Sequence, residues 1–207
     1  MDKQFNSENK NIESDNPKEV EIGLDISTSV IGVCVLDSQT NQILKLTNIK
    51  LTSNKFTNLW EKATEFEKYI SNFCIENNYK LKNVFVEANA KMFTPGFSSA
   101  DTILTLAKFN GICCYIIFKL FGLAPTDINV TSARSKLGIK VDRKDKTKST
   151  KEKVRIEFRK KYPNVPLTTH IAKTGKSKGQ TVLDKENEDM IDAAVIALGG
   201  KLICGNQ

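Results

Sequence analysis

The chain has 207 residues, of which 40% are hydrophobic and 27% charged, with a formal net charge of +7. That length suits one domain with a sizeable core, and the composition excludes collagen-like, mucin-like and wholly disordered classes. A positive balance favours a polyanionic partner, nucleic acid or an acidic membrane face, although the total alone is equally a solubility charge.

Residues 1–19 hold almost no large apolar side chains and no apolar segment of the secretory kind, so a disordered tail is expected there. Val20 to Ile26 and Val30 to Asp37 are β-branched runs separated by Ser27-Thr28-Ser29, a turn signal. A third strand is predicted from Ile43 to Leu51, which makes an antiparallel three-stranded meander. Leu59, Ala63, Phe66, Ile70 and Phe73 then follow the 3–4 spacing of an amphipathic helix that Asn77-Asn78 ends. Val84 to Glu87 reads as a short strand. Ser98 to Leu123 predicts a long helix capped by Ser98 or Ser99. Ile128 to Val130 is a fifth strand, followed by a short helix over Thr131 to Leu137 that Gly138 stops. Thr150 to Tyr162 fits a helix ended by Pro163 and Pro166. Thr169 to Gln180 is a polar Gly/Lys-rich loop, and Asn187 to Leu198 is a last helix. The predicted fold is α/β: a mixed five-stranded sheet, three antiparallel strands and then two more, flanked by helices in a single domain over residues 20–207.

Five cysteines (Cys34, Cys74, Cys113, Cys114 and Cys204) cannot all pair within one chain, and none lies in a C-x-x-C. His170 is the sole histidine, so no zinc spacing is available. Buried, reduced thiols are expected, in a cytoplasmic or nuclear protein. The longest apolar stretch, Gly111 to Phe118, is far short of the roughly 20 residues that span a bilayer, so no membrane partner is expected.

Four acids stand where such a sheet gathers them. Asp25 is the only acid in Gly23-Leu24-Asp25-Ile26-Ser27 of the first strand, and Glu87 ends the fourth strand. Asp189 and Asp192, at i and i+3, share one face of the last helix. A carboxylate in an apolar strand costs several kcal/mol if dry and unpaired, so a metal or a solvated cleft must compensate it. Converging carboxylates make an oxygen-only site for hard divalent cations, Mg²⁺ or Mn²⁺. Two such ions per site activate water and stabilise both oxygens of an in-line phosphodiester displacement. Each acid also has an ordinary reading: Asp25 capping a turn, Glu87 pairing with Lys91, Asp189 and Asp192 on a solvated helix face.

GLDISTSVIGVCVLD resembles the first motif of the RuvC-like Holliday-junction resolvases of the ribonuclease H-like superfamily. VFVEANA is similar to their second acidic motif and NEDMIDAAVIAL to their last. NVTSARSKLGIK resembles the Arg-containing stretch of phage-type members, and TKSTKEKVRIEFRKKYP the basic helix that follows. The resemblance runs in family order from about Glu21 to Gly200. It implies a ribonuclease H-like sheet and assigns Asp25, Glu87, Asp189 and Asp192 as catalytic, metal-binding acids, with Glu188 replacing Asp189 if the register slips by one. It further implies a homodimer that cuts opposing strands of a four-way junction. Bacterial members carry an aromatic three residues after the second acid, where Ala90 stands here. Phe93 and Phe97 are candidates for that stacking or wedge role, and core packing is the equal alternative.

Lys140 to Lys161 contains eleven basic and four acidic residues, which accounts for the whole net charge. Lys140, Arg143, Lys144, Lys146, Lys148 and Lys151, with Arg134 and Lys136 just upstream, are candidate contacts to DNA phosphates. Lys173, Lys176 and Lys178 add charge in a loop that either closes over DNA or is merely solvated. Branched DNA is the expected substrate. The alternatives are a RuvC-like nuclease for flaps, nicks or RNA–DNA hybrids, and a non-catalytic DNA-binding domain of the same fold. GLDISTSVIGVCVLD also resembles the first phosphate loop of actin and sugar-kinase ATPases. That fold needs two such halves and a glycine-rich adenosine motif, so no nucleotide cofactor is expected.

Overall fold

The computed structural model describes residues 16–52, 54–88, 99–142 and 147–205. Sequence expectations for residues 1–15, Ala90, Lys91, Phe93, Phe97, Ser98, Arg143, Lys144 and Lys146 lie outside the described residues. Strands β1 (Lys18–Ile26), β2 (Val30–Asp37), β3 (Ile43–Lys50), β4 (Tyr79–Glu87) and β5 (Thr126–Ile128) form one sheet in the order β3-β2-β1-β4-β5. β1, β2 and β3 pair antiparallel, whereas β4 lies parallel to β1 and β5 parallel to β4. The β1–β4 pairing shifts register between Val20 and Glu21, with Val20 opposite Leu81 and Glu21 opposite Asn83.

The sheet separates two apolar layers. Successive strand residues point to opposite faces. Val20, Ile22, Leu24 and Ile26 of β1 therefore join the core formed with α1 (Leu59–Glu76) and α2 (Ala100–Phe121). Phe85 and Ile128 join the other core, with α3 (Val130–Lys136), α4 (Thr150–Lys161) and α5 (Asn187–Cys204). α1 is amphipathic and buries Ala63, Phe66, Ile70 and Phe73. Asn58 caps it by accepting from the amides of Trp60 and Glu61, and Asn78, at φ 49°, turns the chain into β4. α5 is buried all round from Met190 to Gly200, because it touches all five strands on one side and α3 and α4 on the other.

Two glycines allow α5 to lie that close. A methyl group at Gly23 of β1 would overlap the Ala193 carbonyl oxygen and come within 2.6 Å of the Ala197 Cβ. One at Gly32 of β2 would overlap the Asp189 carbonyl, with its carbon at 2.6 Å. Gly32 is the cross-strand partner of Asp25. The gap in the side-chain layer at Gly32 therefore seats the first turn of α5 beside that acid.

Several boundaries differ from the sequence expectation. The expected tail over 1–19 gives way to β1 at Lys18, since Lys18 pairs with Asp37 and aligns with Tyr79. β4 begins at Tyr79 rather than Val84; its first half alternates exposed lysines with Leu81, and Lys80 and Lys82 pair with Glu19. β5 precedes its predicted position by two residues. The 169–180 loop rises from a hairpin, β6 (Thr169–Ile171) and β7 (Thr181–Leu183). α5 continues past Leu198 because its glycines pack on Ala133 and Phe85 instead of ending it. As a continuous helix of 22 residues, α2 is long and apolar enough to cross a membrane by length and composition, which the eight-residue stretch alone did not convey. One side of it buries Phe109, Cys113, Ile116 and Ile117 against the sheet and α1. All five cysteines are free.

Gly32→Ala should destabilise the protein by about 3 kcal/mol, because backbone rather than a flexible side chain must yield. Gly111→Ala, in the interior of α2 with nothing within 4 Å, should instead stabilise it by about 0.5–1 kcal/mol. Urea unfolding of both variants checks the opposite signs.

Candidate active site

Strand alternation turns the side chains of Asp25 and Glu87 to the α5 face, in step with Gly23 and Phe85 respectively. α5 supplies Asp189 in its first turn and Asp192 one turn on. Asp192 is buried, whereas Asp25, Glu87 and Asp189 are half-buried. The β1–β2 turn is held by Ser27, whose hydroxyl donates to the Val30 carbonyl at 2.6 Å and accepts from the Val30 amide at 3.1 Å. Asp25 is therefore not the turn cap. The carbonyl of Glu87 accepts from the Asn110 side chain at 3.4 Å, a contact that ties the end of β4 to α2.

The carboxylates act on one another. Burial and then the charges of Asp192, Glu87 and Asp189 hold the Asp25 carboxyl well above the usual carboxylate range. Burial and Asp192 push Glu87 up, against the pull of Arg134 and Lys151. Asp192 is raised by burial, which outweighs the same two cations. Asp189 is among the charges that act on Asp25, and its carboxylate also pairs with Lys151.

Two cations offset this charge. Arg134 Nη2 lies 3.1 Å from Asp192 Oδ1. Lys151 Nζ lies 2.8 Å from Asp189 Oδ1 and 3.8 Å from Asp192 Oδ2. Burial pulls the Lys151 ammonium down, but its hydrogen bond to Asp189 and the surrounding acids outweigh that and hold it above its usual value. Lys151, a candidate contact to DNA phosphates, is exposed and pairs here with Asp189. The Arg134 Nε is buried without a hydrogen-bond partner. Arg134 and Lys140 line a cleft of about 310 Å³ with Thr131, Ser135 and Thr150, at the start of α4. Lys136 and Lys148 are exposed. Arg143, Lys144, Lys146, Phe93 and Phe97 lie outside the described residues.

An all-oxygen donor set with three raised carboxyls fits hard divalent cations, whose charge relieves the repulsion and whose coordination prefers carboxylates. Among the described residues no three acid, cysteine or histidine side chains already close around one point, so any ion would have to draw them together. Two polar residues in this region carried no obvious signal in the sequence. Asn110 is a single amide inside an apolar helix. Asn187, fully buried at the start of α5, accepts from the Thr168 amide at 2.9 Å and donates to the Thr168 and Asp184 carbonyls.

No family model and no curated protein matches the sequence. Solved structures do match the fold. Thermus thermophilus RuvC in complex with a Holliday junction substrate aligns with a TM-score of 0.58 and 14% identity, covering 91% of this chain and 96% of that one. A second T. thermophilus RuvC structure gives a TM-score of 0.55 and 15% identity, over 90% and 96% of the two chains. The yeast mitochondrial Holliday junction resolvase Ydc2 aligns at 0.49 and 14% identity, over 90% and 79%. The sheet order, the placement of its helices and the near-complete alignment give this chain the RuvC-like form of the ribonuclease H-like fold.

Proposed function

We propose that the protein is a divalent-metal-dependent endonuclease that hydrolyses phosphodiester bonds at four-way or otherwise branched DNA junctions. The observation that carries this reading is that acids of β1, β4 and α5 share the α5 face of the sheet closely enough to act on one another, three of them raised chiefly by burial. The RuvC-like fold supports it, since a solved counterpart is described with a Holliday junction substrate. Asp25, Glu87, Asp189 and Asp192 would hold Mg²⁺ or Mn²⁺, two ions per site. Such ions, when bound, supply an acidified water and charge stabilisation at the attacking and leaving oxygens. The chain's own residues bind and orient. Arg134 and Lys140, in their shared cleft, offer a fork of donors and a point charge to a backbone phosphate. Lys136 and Lys148, both exposed, would offer further charge to the backbone without reading sequence, and Arg143, Lys144 and Lys146 add to that charge by composition.

Cutting two opposing strands needs two sites, so the reading includes a homodimer. α2 supports it with a surface. Leu104, Gly111, Tyr115 and Phe118 are spaced by seven, four and three residues and share one helix face. Leu104, Tyr115 and Phe118 are 67%, 65% and 54% exposed, a large apolar display on the side of α2 away from its buried residues.

Asp25→Asn and Asp192→Asn should each abolish Mg²⁺-dependent cleavage of a synthetic four-way junction while metal-free binding stays within a few-fold of wild type. Full cleavage by both variants would overturn the site, and equal cutting of linear duplex would reduce the reading to a general nuclease.

Asp25→Asn should also raise the metal-free melting temperature at pH 8. A carboxyl raised in the folded state costs stability as pH climbs from its unfolded value of roughly 4 through its folded one, so the gain should shrink toward pH 4. Calorimetry across that range with chelator present checks it.

Light scattering should give twice the 23.1 kDa of one chain, and Tyr115→Glu with Phe118→Glu should return the monomer mass.

A further inference from the structure

The β6–β7 hairpin has no packing reason to exist. None of its six strand residues is buried, and Ile171 is 65% exposed. It is nevertheless ordered. The Thr168 carbonyl accepts from the Asp184 amide at 3.1 Å, and beyond the strands Ala172 donates to Gln180 at 3.0 Å and accepts from Gly179 at 2.8 Å. The tip is closed by the Lys178 amide donating to Gly175, with Gly175 and Gly179 at φ 79° and 83°, where glycine is favoured. His170 Nδ1 and Asp184 Oδ1, 2.6 Å apart, lock the base.

The charge of this element is one-sided. Residues 172–183 include Lys173, Lys176 and Lys178 and no acid. All three lysines are exposed, and none forms an ion pair with an acid among the described residues. The nearest acid in sequence, Asp184, is engaged by Thr168 and His170, which hold it below its usual carboxylate range. Three cations held at fixed spacing without counter-charge are repelled from one another, and a polyanion relieves that repulsion.

Its attachment places it relative to the site. Asn187, with no exposed surface, clamps Thr168 and Asp184 to the first residue of α5, two residues before Asp189. From Thr168 to Ala172 the ladder rises roughly 13 Å at ~3.3 Å per residue. That reach is about four base-pair steps of duplex at ~3.4 Å each.

We propose that this hairpin is a phosphate-gripping arm for duplex nucleic acid, and that Lys173, Lys176 and Lys178 contact the backbone of the DNA arm leaving the cleavage site. The inference rests on the nuclease reading above and adds a contact surface to it. It is tested by metal-free binding of a four-way junction over a range of salt concentrations, with K173Q/K176Q/K178Q and with a variant whose residues 172–180 are replaced by an Asn-Gly turn. Each lost phosphate contact lowers the slope of log affinity against log salt by about 0.9, so both variants should show a slope about 2–3 shallower than wild type. Junctions with arms trimmed to a few base pairs should weaken wild type and leave the variants unaffected. A wild type that binds DNA with the same slope and arm-length dependence as both variants overturns the hairpin inference alone. A wild type that binds neither junction nor duplex overturns the nuclease reading and the inference with it.

Discussion

The structure depends on how closely α5 can approach the sheet. A helix laid on a sheet ordinarily stands about 10 Å off, at the thickness of two side-chain layers. Here Gly23 and Gly32 remove the sheet's layer along one line, and Ala193 and Ala197 thin the helix's layer opposite Gly23. Asp189 and Asp192 ride on that helix and Asp25 sits on the strand beneath it, so the same contact that completes the core brings the acids into one another's field. Packing and chemistry are one feature viewed from two sides. A side chain at Gly32 would act on both.

The acids set themselves against folding. Three are raised by burial, and two cations, Arg134 and Lys151, offset four carboxylates only in part. Sites that must later receive positive charge are commonly left in this state, with stability given up for function. It also changes how the net charge is counted. The segment 140–161 carries +7 by composition, of which Lys151 is partly offset by Asp189 and Asp192. The outward field for a polyanion comes from the exposed Lys136, Lys140 and Lys148 and, on a separate element, from the β6–β7 tip.

Much of this was legible in the sequence because it follows local rules. β2 and the start of α1 match their predicted positions, since a β-branched run between turn residues and a 3–4 apolar stripe after an Asn cap have one economical solution each. The acids stood out as charges in apolar runs. What stayed hidden depends on tertiary context. The first half of β4 is polar because its lysines face solvent and pair with Glu19. α5 outruns its predicted end at Leu198, where Gly199 and Gly200 pack on Ala133 and Phe85. β6 and β7 are three residues each, too short for any period to show. Lys151 is one lysine among many in a basic helix, and only the fold reveals that it pairs with Asp189.

The irregularity between β1 and β4 has an outcome far from where it occurs. Leu81 and Val86 both lie in the α1–α2 core, although five positions apart they ought to face opposite ways. The skipped residue at Lys82 reverses the parity of everything after it, so that Phe85 and Glu87 fall on the α5 side. Glu87 thus reaches Asp25 by an odd count. Without that extra residue Leu81 and Val86 would face opposite ways, and the two halves of β4 could not both bury their apolar residues against α1 and α2.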